Sequence, residues 1–528
     1  MRFVIAGGRV VDGTGAPAKE SDVYIRDGLI TDVRPSSDDH GDWNVVDATG
    51  LTISPGFIDV HSHGDNVPLL EQNDTSKILQ GVTTEVVGNC GISLAPIEPS
   101  RREALWGILE RVMSDFAFSG SSFADFLSAT DARGYVTNYA PLVGHGVLRI
   151  AAMGLESRQP TVKELSKMQA HLEDSLDAGA FGLSSGLIYP PGVFADTGEL
   201  VSLAQCLRSD TLYTTHMRSE GDALLEAVDE ALEIGKRAGV RVEISHHKAA
   251  GERNWGKTRD SLRAIAKARL EGVEVYQDVY PYTAGSTMLT ATLPPEAHEG
   301  GEEALLRRLN DPREVARLKE AAESEHPAFE SLIRMAGYQN IVVAGTASGN
   351  FEGESIREAA QRLGLGEFET IVHILRSENL RATMVVFMMD EEDVQRVLAD
   401  PYTVIGTDGL PPAFGSKPHP RTFGTFPRVI ARYVREHGVL SLEEAVRKMT
   451  ALSAHIFRIP DRGTIAPGYV ADLVGFDAER ISDDLDYRDP IRQPAGIRWV
   501  MQSGAFTVKN GTYLGERRGV RLRPGRDV

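Results

Sequence analysis

Residues 55–65 read PGFIDVHSHGD, a short apolar run that ends on two histidines spaced two apart. Residues i and i+2 of a strand face the same way, so His61 and His63 present two imidazoles to one point, as a divalent metal requires. A lone His-x-His also occurs as a structural pair that satisfies backbone groups, so repetition of the pattern along the chain decides the reading. VTTEVVGNC (82–90), YAPLVGH (139–145), TLYTTH (211–216), VRVEISHH (240–247), VEVYQDVYPY (273–282) and YTVIGTDG (402–409) are further β-branched runs, and they carry Cys90, His145, His216, His246, Tyr280 and Asp408 at or near their ends. With AFGLSSG (180–186) they make eight. Amphipathic stretches such as ALLEAVDEALEIGKRAG (223–239) intervene, the signature of βα units around a parallel sheet. The expected class is α/β, a (β/α)8 TIM-like barrel, in which catalytic groups gather at the C-terminal ends of the strands because the loops there form the open face.

Outward from the barrel the texture changes. FVIAGGRVVDGTG (3–15) and DVYIRDGLITDVRP (22–35), with a turn at Arg26-Asp27-Gly28, are short alternating strands, and the texture returns in GTIAPGYVADLVGFD (463–477) and GIRWVMQSGAFTVKNGTYL (496–514). The two ends are expected to pair into one small β-sandwich domain, residues 1–55 and 462–528, flanking a barrel over 56–461. The last crossover is too long for one helix, and the segment at about 287–401 is expected to be an insertion whose loops border the barrel mouth and act as a lid.

Composition narrows the function classes. With 41% hydrophobic and 25% charged residues over 528 positions, disorder and fibrous classes are excluded. A net charge of −19 repels phosphate backbones and anionic lipid, so neither nucleic acid nor a membrane is an expected partner. Two cysteines, Cys90 and Cys206, cannot build a disulfide framework and suit a reducing compartment. The opening residues lack the apolar core and cleavage site of a secretion signal, and the expected location is the cytoplasm.

Taken together and in order, PGFIDVHSHGD, GVTTEVVGNCGIS (81–93), SSGLIYPPG (184–192), THMRSE (215–220), ISHHK (244–248), DVYPYTAGST (278–287), GTDGLP (406–411) and HPRTFGTFPRV (419–429) resemble the N-acyl-D-amino-acid deacylases of the amidohydrolase superfamily. The resemblance spans nearly the whole chain. It implies zinc-dependent hydrolysis of a small-molecule N-acyl-D-amino acid to a D-amino acid and a carboxylic acid. Many binuclear amidohydrolases bridge their metals with a carboxylated lysine after the fourth strand, which here reads AFGLSSG and offers none, so another bridge is needed.

The resemblance assigns Cys90, His216 and His246 to one tight zinc position, with His61, His63 and Asp408, sharing Cys90, at a second and weaker one. Thiolate with imidazole suits zinc, although a buried cysteine is also a common inert hydrophobe. Asp408 is the implied catalytic acid and base, against its ordinary meaning as a Thr-Asp-Gly turn residue. Arg421 matches the anchor for the substrate α-carboxylate, and Lys248, Tyr280, Ser286 and Tyr189 match other substrate-binding positions. For the tyrosines the alternative is core packing. His145 is read as ambiguous, His247 as a packing residue, and Arg218 as either substrate contact or supporting salt bridge. The stretch GLPPAFGSKPHP (409–420) departs from the family pattern and leaves side-chain preference open; its Lys417 is either solvated or favours an acidic D-amino acid. Two other readings stand beside the deacylase: a cyclic amidase or dipeptidase of the same superfamily, and a non-catalytic ligand-binding scaffold. A homo-oligomer is compatible with all of them.

Overall fold

The structure, a computed structural model, describes residues 2–113, 118–325, 329–411 and 417–525. Eight short parallel strands form its centre: β1 (Phe57–Asp59), β2 (Val82–Val87), β3 (Asn138–Pro141, carried on by Val143–Gly144), β4 (Gly182–Gly186), β5 (Leu212–His216), β6 (Arg241–Ile244), β7 (Val275–Val279) and β8 (Thr403–Ile405). Each pairs in parallel with the next. The third strand links the two halves, because its first part pairs with β2 and its continuation with β4. The ring returns on itself where Ser62 bridges Gly409 in parallel and the Asp408 amide donates to the His61 carbonyl at 2.7 Å. Helices such as Val162–Ala178, Leu224–Ala238 and Thr258–Leu270 cover the outside. These strands are buried on both faces, which is why they read as continuous β-branched runs rather than alternating ones.

Both ends of the chain enter a single nine-stranded mixed sheet. The junction is antiparallel, Thr52–Pro55 against Leu473–Phe476. Its core draws Ile5, Val23 and Ile53 from one end and Leu473, Trp499 and Met501 from the other. After Thr512–Tyr513 the chain leaves this sheet and straps the parallel strands, with Gly519 bridging Tyr135 and Arg521 bridging Tyr139 of β3.

Between β7 and β8 lies a separate layer. Strands Ala284–Met288, Ile341–Thr346 and Ala382–Phe387 form an antiparallel sheet with the last in the middle. Helices pack on it through a core of their own that includes Leu305, Leu318, Phe368 and Ile371. The DVYPYTAGST motif supplies the first of these strands, so Ser286 reaches the site from this layer and pairs with Val385.

Candidate metal centre

The six residues that the sequence nominates as ligands meet at the C-terminal end of the ring. His61 and His63 follow β1, Cys90 follows β2, His216 ends β5, His246 follows β6 and Asp408 follows β8. Three of them hold left-handed backbone: Cys90 at φ 53°, His246 at φ 37° and Asp408 at φ 48°. Each such conformation costs a non-glycine residue about 1 kcal/mol or more, and it turns a side chain from the strand line into the mouth. The Cys90 turn is also pressed against β4, where a Cβ on Gly186 would stand 2.1 Å from the Cys90 carbonyl oxygen.

Cys90 Sγ lies 3.3 Å from His61 Nε2, 3.5 Å from His246 Nε2 and 3.7 Å from His216 Nδ1. Two ligands of one tetrahedral zinc, with Zn–S of ~2.3 Å and Zn–N of ~2.05 Å, stand ~3.5 Å apart. The donor atoms of His61, Cys90, His246 and Asp408 all fall within 4.8 Å of one another, and His216, Glu220 and His246 form a second such group. Asp408 Oδ1 is 3.1 Å from His63 Nε2 and 3.6 Å from His61 Nε2. His216 Nε2 is buried without a hydrogen-bond partner among the described residues. Thiolate, imidazole and carboxylate donors at these separations fit zinc.

Ring orientation is set from behind. Asp278 holds His61 Nδ1 at 2.9 Å and accepts the His246 amide at 3.0 Å. Glu220 holds His246 Nδ1 at 2.7 Å and lies 3.8 Å from His216 Nε2. A carboxylate on one ring nitrogen fixes the tautomer and aims the other nitrogen at a metal. Sequence reasoning missed both acids. Glu220 stands four residues after His216, and Asp278 obeys the same strand-end rule that found the ligands.

The charges reinforce one another. Burial pushes the Cys90 thiol up, but His61 and His246, with hydrogen bonds from His216 and His246, outweigh it and hold the thiol well below its ordinary value. Burial likewise opposes ionisation of Asp408, yet Arg421 and the His63 hydrogen bond keep this carboxyl well below the usual range. Burial lowers His63, while its bonds to Asp408 and Cys90 raise it to about 9.

Around this cluster, Arg421 is buried with Nη1 2.8 Å from Asp408 Oδ2, Nη2 donating to the Ser286 carbonyl at 3.0 Å, and its guanidinium 4.5 Å from the Tyr280 ring centre. Its Nε has no partner among the described residues. Lys248 pairs with Glu220, and its Nζ stands 2.9 Å from His246 Nδ1, which places it behind His246. The Tyr189 ring stands 5.0 Å from that of His216, with its hydroxyl 3.0 Å from Thr287 Oγ1. His419, a further residue the sequence reading passed over, accepts the Arg421 amide at 3.0 Å on Nδ1 and donates from Nε2 to the Ala284 carbonyl at 2.8 Å.

The remaining candidates sit apart from the cluster. His145 is locked to Glu199 at 2.7 Å, His247 to Ser261 at 2.8 Å, and Arg218 to Glu230 at 2.9 Å. Lys417 ties its amide to Ala344 at 2.7 Å, while residues 412–416 of the atypical loop lie outside the described residues.

Comparison with known proteins places the chain in a family. The model of the amidohydrolase family matches residues 44–508. An N-acyl-D-aspartate deacylase of Alcaligenes xylosoxydans xylosoxydans is 38% identical over 99% of this chain and 95% of its own length. A D-aminoacylase of the same organism is 36% identical over 98% and 96%. Among solved structures, the N-acyl-D-glutamate deacylase of Bordetella bronchiseptica, complexed with zinc and a phosphonate mimic of the tetrahedral intermediate, superposes with a TM-score of 0.81 at 34% identity, covering 99% of both chains. The chain belongs to the amidohydrolase family and, within it, to the N-acyl-D-amino-acid deacylases.

Proposed function

We propose that the chain is a zinc-dependent hydrolase that cleaves N-acyl-D-amino acids to a D-amino acid and a carboxylic acid. Its scaffold is a (β/α)8 barrel with a β-sandwich built from both termini (1–55 and 462–528) and an insertion at about 287–401. The observation that carries this reading is the convergence of Cys90 Sγ, three imidazoles and Asp408 beside the buried guanidinium of Arg421. The relatives' names supply the substrate class and its hand. The fourth strand, Gly182–Gly186, carries no lysine, which separates the chain from lysine-bridged cyclic amidases. Both cysteines are free, in keeping with a reducing compartment. Among the described residues no helix is long and apolar enough to cross a membrane.

Cys90, His216 and His246 would hold the tight zinc, with His61, His63 and Asp408 completing a second position around the shared sulfur. Zinc supplies Lewis acidity toward both water and an amide carbonyl. Arg421, its Nε without a partner among the described residues, receives the substrate α-carboxylate, with Tyr280 and Ser286 beside it; Lys248 supports this side by holding Glu220 behind His246. Asp408 is ionised at neutral pH, so it can take the proton from the attacking water as the new C–O bond forms. It then returns that proton to the amide nitrogen as the C–N bond breaks, freeing the amine and the acid. His63, bonded to Asp408, steadies the carboxylate in both states.

Purified protein with measured zinc is expected to release free amine from N-acetyl-D-amino acids and none from the L-enantiomers, to lose this activity on chelation, and to regain it with zinc. Zinc-loaded protein that turns over no D-enantiomer would overturn the assignment.

A further inference from the structure

A narrow cavity, with about 40 Å3 of room for water-sized spheres, begins at Cys90 and Tyr189 and runs under the loops after β3 and β4. Its walls are apolar, among them Leu105, Ile108, Val147 and Leu293. Apart from Cys90 and Tyr189, the polar side chains on those walls among the described residues are Arg111 and His298. Arg111 is 8% exposed, and its Nε is buried without a hydrogen-bond partner among the described residues. The carboxylate whose charge reaches it belongs to Glu302, but one oxygen of Glu302 accepts the Asn379 amide at 3.0 Å. Burial lowers His298 to about 3, with Arg111 adding to the effect, so this imidazole is neutral and Arg111 is the cation on the described walls.

A guanidinium set among aliphatic walls with an orphaned N–H is costly unless an anion completes it. A substrate whose scissile carbonyl lies at Cys90 has this cavity beside one of its arms. The α-carboxylate anchor, Arg421, is not on its walls. We propose that Arg111 determines specificity by receiving a second carboxylate, carried into the cavity on an apolar stem by the substrate. This rests on the deacylase reading. The stem belongs either to an acidic amino-acid side chain or to a dicarboxylic acyl group, and both present the same chemistry to Arg111.

The test uses the zinc-loaded protein, its Arg111→Gln and Arg111→Lys variants, and three substrates: N-acetyl-D-leucine, N-acetyl-D-glutamate and N-glutaryl-D-leucine. In at least one dicarboxylic arm Arg111→Gln is expected to lower kcat/KM on the order of 100-fold, mostly through KM, with partial rescue by Arg111→Lys. The fall for N-acetyl-D-leucine is expected to stay within about threefold. The responding arm identifies which half of the substrate enters. Equal loss on all three substrates, or no loss on either dicarboxylic one, overturns the proposal even if deacylation stands. Calorimetric binding of glutarate and D-glutamate reads the site without turnover. Affinity that Arg111→Gln weakens supports the subsite even if the deacylase reading fails, and affinity for both that is indifferent to the substitution overturns it.

Discussion

Two clusters of buried charge sit within a few residues of each other on the first two strands, and they are built on opposite plans. Around Lys77 everything is closed: its ammonium donates to Asp59 at 3.0 Å, Glu85 at 3.0 Å and Ser62 at 2.8 Å, while Asp59 also accepts the Thr407 amide at 2.8 Å. Around Cys90 three backbones are left-handed, His216 Nε2 and Arg421 Nε have no hydrogen-bond partner among the described residues, and the acids Glu220 and Asp278 stand behind the rings rather than across from them. Buried charge that is fully paired rigidifies a fold. Buried charge left with unused donors and acceptors is arranged for something that arrives later.

Four substitutions put that contrast at risk. Asp408→Asn is expected to cut kcat by about 10²–10⁴-fold, the scale of general acid–base catalysis, with an unfolding midpoint close to wild type. Steady-state kinetics alongside urea unfolding would read both. Lys77→Met is expected to do the reverse. It leaves Asp59 and Glu85 buried without their cation and costs about 3–5 kcal/mol of stability, while the folded fraction keeps its kcat. If Lys77→Met instead spared stability and lost turnover, the two clusters would not differ in kind. Glu220→Gln should weaken zinc binding about 10–100-fold in competition with a chelator, with a smaller effect on kcat once zinc saturates.

The smallest effect concerns Lys448, which donates to the Thr403 carbonyl at 3.1 Å beneath β8 and lies 3.7 Å from Glu444. Burial lowers its pKa to about 8, against the pull of Glu444. The unfolded chain therefore binds more protons above that value, and stability rises with pH through the window. Wild type is expected to gain about 1 kcal/mol on Lys448→Met between pH 8 and about 9, measured as paired unfolding midpoints. A constant difference would show that Lys448 stays charged, as Lys77 does.

Much of this was legible in the sequence because a parallel strand buried on both faces is apolar until it reaches the open end, so His61, Cys90, His216, His246 and Asp408 announce themselves by interrupting it. The pairing of the two ends was legible for a related reason: alternation and the turns at Asp27-Gly28 and Asn510-Gly511 belong to half-exposed strands. What escaped acts through another residue. Glu220 follows no strand-end rule, and Asp278, although it sits at a strand end, gains its role only from the imidazole face that it backs. Arg111 escaped because helix Arg102–Leu109 shows an ordinary apolar face through Leu105 and Ile108, and one arginine a turn further on reads as solvated until the cavity is seen. The strap at residues 519–521 carries no periodicity to distinguish it from a tail.

X-ray absorption at the zinc edge of the loaded protein would test the thiolate-and-imidazole centre most directly. One sulfur at ~2.3 Å with nitrogen or oxygen donors at ~2.0–2.1 Å is expected, and the sulfur shell should vanish in Cys90→Ala. A spectrum with no sulfur in wild type, or one unchanged by Cys90→Ala, would contradict it.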